Sequence, residues 1–137
     1  ERQRVINNAS FRPPFHENIY FIYLNKKQRS IEEIQNYSNN KASDSVINEI
    51  TNITSMILKC NSIEAYDKLI ESHELIISKL ISKPTIKETL FKDFNGSIKS
   101  LGAWGGDMIM ATSHNDPVKY FTGKGYSTIF KFEELLV

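Results

Sequence analysis

The chain has 137 residues, 40% of them hydrophobic and 24% charged, with a formal net charge of +1. That is the make-up of one folded domain able to bury a core. It supplies no broad field for nucleic acid or an anionic membrane, and no apolar run approaches the roughly 20 residues of a bilayer span.

Glu1 rather than Met opens the chain, as expected of a processed product or one part of a longer protein. Residues 1–14 read as a leading extended segment or linker, closed by Pro13-Pro14, and residues 15–137 as the domain itself. Asn18–Leu24 (NIYFIYL) is apolar and aromatic at successive positions, which predicts a strand covered on both faces. The basic cluster Lys26, Lys27 and Arg29 follows at once, a place where an anion would be drawn to a helix N-terminus or where a charged loop is simply solvated. Ser30 and Glu33 form a capping-box pattern, predicting a short helix to about Tyr37.

Two longer helices come next. Val46, Ile50, Ile53, Ile57 and Cys60 recur at helical spacing behind a cap at Ser43 or Asp44. Cys60, the only cysteine, excludes an internal disulfide and fits a reducing, cytoplasmic compartment. Its place on the stripe predicts a buried small hydrophobe. The second helix opens near Asn61-Ser62, with the stripe Tyr66, Leu69, Ile70, His73, Ile77 and Leu80. His73 reads first as a core histidine and second as a group reaching a cleft. Pro84 ends this region, and Thr85 with Glu88 predicts another capping box, with Leu90, Phe91 and Phe94 turned inward.

All six glycines lie from Gly96 onward. Ile98–Leu101 and Met108–Thr112 read as strands joined by a turn holding Gly102, Ala103, Trp104, Gly105 and Gly106. A hairpin needs one or two residues at positive φ; the surplus glycine would also let backbone N–H groups approach an anion. Asp116-Pro117 starts a helix with Pro117 at its first position, Gly123 and Gly125 stop it, and Tyr126–Phe132 alternates as a last strand. The order predicts an α+β fold, a ferredoxin-like antiparallel sheet of four strands with helices on one face. Lys124–Phe132 and Ile19–Leu24 loosely fit the two signature strands of an RNA-recognition module. The spacing between them, the early end of the chain and the near-zero charge all argue against RNA. No histidine pair has metal-ligand spacing, and no nucleophile–base set stands out.

With those segments in order, the chain resembles the C-terminal domain of the GHMP kinases, and most closely their GYDIA subgroup, which is related to mevalonate kinase. IKSLGAWGGDMIMAT resembles the third, glycine-rich family motif, with Trp104 where the larger family carries glycine. YLNKKQRSIEEI is similar to the strand, loop and helix start beside the substrate, and SHELIISKLISKP to the helix that precedes a proline. The resemblance implies a substrate-side domain of an ATP-dependent kinase that phosphorylates a small alcohol or phosphorylated alcohol. It implies that backbone N–H groups at Gly102, Gly105 and Gly106 face phosphate, that Ser100, Ala103 and Trp104 shape the wall, and that Lys26, Lys27 and Arg29 attract an anionic substrate. Ser30 acts mainly as a cap. The family's nucleotide loop, catalytic aspartate and Gly-Tyr-Asp-Ile-Ala segment are not in this sequence. Hence no residue here is assigned as catalytic, ATP and Mg2+ belong to the parent protein, and the isolated domain is expected to be inactive. The implied partners are an N-terminal kinase domain, the alcohol, and a second copy as a candidate homodimer, with no nucleic acid and no membrane. The alternative is a stand-alone α+β ligand-binding or interaction module without catalysis.

Overall fold

The structure, a computed structural model, describes residues 8–26, 34–35, 41–102, 104 and 107–135. After a single 3-10 turn at His16–Asn18 come strand β1 (Ile19–Tyr23), helices α1 (Asp44–Leu58), α2 (Ile63–Ile81) and α3 (Ile86–Leu90), and strands β2 (Ile98–Leu101) and β3 (Met108–Thr112). Helix α4 (Val118–Gly123), strand β4 (Ile129–Lys131) and the short helix α5 (Phe132–Leu135) are the last of the described elements. The strands form one antiparallel sheet in the order β2-β3-β1-β4. This is the α+β, ferredoxin-like arrangement expected from the element order.

The helix boundaries follow their caps. Ser43 and Ser62 accept the amides of Val46 and Ala65, each at 3.3 Å. Thr85 and Glu88 form the reciprocal capping box of α3, satisfying two amides that the helix start would otherwise orphan. Pro117 stands at the cap position of α4 rather than inside it. The last strand is shorter than the alternation predicts, because Phe132 is buried as the first residue of α5. The predicted cap at Ser30 lies outside the described residues, although Ile34 and Gln35 are helical.

β1 is an interior strand, paired with β3 on one side and β4 on the other. Ile19, Tyr20, Phe21 and Ile22 are all buried, as an interior strand covered on both faces requires. Tyr20, Ile22, Ile98, Ile109 and Ala111 point into a core closed by Phe91, Phe94 and Phe121. Ile19, Phe21 and Met110 point the opposite way, against Ile63, Tyr66 and Ile70 of α2, with Phe15 and Phe132. The long helices thus lie on one face, while α3 and α4 with their aromatic rings form a second layer that the single helical layer expected from sequence did not include. Its cause is compositional: β1 has no polar face to leave in water. Phe11, in the leading segment, stacks at 6.2 Å on Tyr66, so that segment contributes to the core.

The sheet edges are guarded. β2 and β4 are edge strands, and each has an amide capped by a carboxylate, Ser100 by Glu74 at 3.1 Å and Lys131 by Glu134 at 2.6 Å. Acidic caps remove the donors that a stray strand would use for pairing.

Candidate functional site

One end of the sheet collects the loops singled out by sequence. The turn between β2 and β3 lies there, because Leu101 pairs with Met108. The chain leaving β1 reaches the same end: Leu24 donates to the Asp107 carbonyl at 2.9 Å and Tyr23 to that of Thr128 at 3.0 Å. Asn25 (φ 57) then turns the backbone and Lys26 follows, exposed to solvent. Lys26 and the glycine turn therefore share one end of the sheet.

Within the turn, Gly102 has φ +71 and a Cβ placed on it would meet nothing within 4 Å among the described residues. Its glycine serves backbone conformation, and no described residue fills the space beside it. Trp104 adopts φ 51, a left-handed conformation that costs a residue with a Cβ about 1–2 kcal/mol. Its indole Nε1 is buried and has no hydrogen-bond partner among the described residues, and the same is true of the Ser100 hydroxyl. Ala103, Gly105, Gly106, Lys27, Arg29 and Ser30 lie outside the described residues.

Ser100 is 3% exposed. It shares a sheet face with Ile98 and Ile109, so its side chain belongs to the core layer, and the contact it offers outward is its amide. That amide donates to Glu74 Oε2 at 3.1 Å, while Glu74 Oε1 lies 3.2 Å from the Lys99 ammonium. The Lys99 ammonium is in turn 3.1 Å from His73 Nδ1. His73 is thus a half-buried member of a polar cluster at the edge of β2 rather than an apolar-core residue.

Glu74 is the residue that sequence reasoning missed. It is 3% exposed, a burial rare for glutamate unless it is paired. Burial by itself would push its carboxyl up. His73, the charge of Lys99 and the Ser100 amide outweigh that and hold it below the ordinary value. The signal was present in the spacing: Ile63, Tyr66, Ile70 and Glu74 are the buried residues of α2, and steps of three, four and four keep one helical face. An acid in phase with an apolar stripe marks a buried partner.

Outside the edge of β2, α2 and α3 enclose a groove of about 910 Å3, lined by Glu71, Glu74, Leu75, Thr85, Lys87 and Ile98 among others. Its main charges are already engaged. Lys87 donates to the Gly96 carbonyl at 2.6 Å and to Glu71 at 3.1 Å, and Glu88 is held by Thr85. Among the described residues no group of three or more His, Cys, Asp or Glu could hold a metal ion, and no helix is long and apolar enough to cross a membrane. Cys60 is a free, half-buried thiol. Comparison with protein-family models, curated proteins and solved structures finds no match for the chain.

Proposed function

We propose that this chain is the substrate-side, C-terminal domain of an ATP-dependent small-molecule kinase of the GHMP type, acting on an alcohol in a reducing, cytoplasmic setting. The observation that carries this reading is the left-handed turn at Gly102, set at the sheet end where Lys26 leaves β1. Exposed backbone near a cation is suited to an anionic group, and phosphoryl transfer depends chiefly on positioning and charge stabilisation.

A second feature favours a domain that packs on a partner over a stand-alone module. Tyr23 and Phe130 are each 36% exposed, and the pairing register puts both on the face of Phe21 and Met110, Tyr23 at the turn end and Phe130 opposite Phe21. In the kinase reading these two exposed rings meet the nucleotide-binding domain. In this reading metal and nucleotide belong to that domain, with this chain contributing donors and shape.

The test is ADP release by the full-length protein with ATP and a panel of small alcohols and phosphorylated alcohols. Transfer to one acceptor class, with none by the isolated chain, is the expected result. Failure of the full-length protein to bind nucleotide or transfer phosphate would overturn the reading.

A further inference from the structure

We propose that Glu74 is a positioning residue for the β2–β3 turn, a role that deepens the kinase reading and takes the functional meaning of the turn from it. The turn contains two described residues in the left-handed region, Gly102 at φ +71 and Trp104 at φ 51. Tryptophan does not choose that conformation by itself, so the shape is imposed by what holds the strand ends. β3 holds one side through pairing that ends at Leu101 and Met108. β2 is an edge strand, so its other side has no strand among the described residues to hold it.

Glu74 supplies that missing hold. One carboxylate grips two consecutive residues of β2: Oε2 accepts the Ser100 amide and Oε1 faces the Lys99 ammonium. These are the last points fixed from outside before Leu101 and the turn. Because Glu74 is buried, water cannot take over readily if it is removed. The chain entering the same strand is fixed separately, by the Lys87 ammonium on the Gly96 carbonyl at 2.6 Å, two residues before β2. Of the two anchors only that of Glu74 lies next to the turn. His73 is the outer member of the cluster, 3.1 Å from Lys99.

The single tryptophan allows a direct reading, since Trp104 sits in the turn. In the chain as it stands, Glu74→Ala is expected to shift the Trp104 emission to the red and to speed exchange of its indole proton about tenfold or more. The amides of Phe21 and Ile22 in interior β1 should stay within about twofold of the parent. Glu74→Gln, which keeps an acceptor for Ser100 but loses the charge facing Lys99, should lie between the two and serves if the alanine variant does not fold. An unchanged Trp104 signal, or an equal rise in exchange throughout the sheet, would overturn the proposal. In the full-length protein Glu74→Gln should lower kcat about tenfold with KM for the alcohol within about twofold, since a displaced donor is felt at the transition state. An equal loss carried wholly by KM would count against positioning. If the full-length protein transfers no phosphate, the kinase reading fails while the Trp104 measurement still decides the role of Glu74.

Discussion

The two ends of the β2–β3 hairpin are built on opposite rules. At the closed end, Gly96 has φ +151 and a Cβ there would lie 1.9 Å from the Thr112 carbonyl oxygen. Beside it, Ser97 and Thr112 are both fully buried. Thr112 Oγ1 accepts the Ser97 amide at 3.0 Å, pairs with the Ser97 hydroxyl at 2.9 Å, and donates to Asp67. The polar side chains of both residues are matched. At the turn end no described residue lies within 4 Å of a Cβ placed on Gly102, and two buried polar atoms lack partners among the described residues. Among the described residues, packing and side-chain hydrogen bonds fill one end, and the other is shaped by backbone conformation.

Substitutions of single residues separate the two ends. Gly96→Ala carries the largest expected effect. Its methyl group would overlap a backbone carbonyl that cannot swing aside, so urea unfolding should show a loss of about 3 kcal/mol or more, or no folded protein. A loss under about 1 kcal/mol would mean that the closed end yields as readily as the turn.

An acid titration gives a smaller effect. The Glu74 carboxyl is held below its ordinary value of 4.5 in the folded chain. It therefore contributes stability that is fully present above pH 4.5 and is lost as the pH falls through the folded value. Glu88 and Asp93 are shifted in the same direction by hydrogen bonds at the surface, so the acid slope of the parent alone is a sum. The informative quantity is the difference: Glu74→Gln should flatten the decline below pH 4.5 and leave the neutral-to-alkaline profile unchanged. Parallel profiles for parent and variant would remove Glu74 as an acid-sensitive anchor.

Gly102→Ala should have the smallest effect on folding. Only the left-handed backbone opposes it, so about 1 kcal/mol is expected. If the proposed kinase function holds, the same change in the full-length protein should reduce turnover by more than its effect on stability explains, because the methyl group would stand where that reading puts the ligand. Equal and small effects on both would return the turn to a plain hairpin.

Much of this was legible along the chain because it is local. Ser43, Ser62 and the Thr85–Glu88 box start their helices where the cap chemistry places them, and β2 and β3 begin and end where the apolar runs do. β1 read as covered on both faces because every residue from Ile19 to Ile22 is large and apolar. What was not legible depended on side chains meeting across the fold. The phase of Glu74 with the apolar stripe marks its burial but does not name its partner, and nothing in the strand pattern around Lys99 points to Glu74. Their partnership joins residues 25 apart in sequence, and no periodicity encodes it. Nor did Gly96 stand out from Gly102 by its neighbours in sequence. One is required because a carbonyl from β3 occupies the place of its Cβ, the other because the backbone turns left-handed.

The sequence by itself determined the element order, the capped helix starts and the apolar faces, since propensity, capping and periodicity act within a few residues of chain. Only the tertiary structure decided which strand became the guarded edge, which carboxylate was buried to guard it, and which end of the hairpin was filled. Those outcomes rest on burial and on the pairing of charges, and both exist only once distant segments have come together.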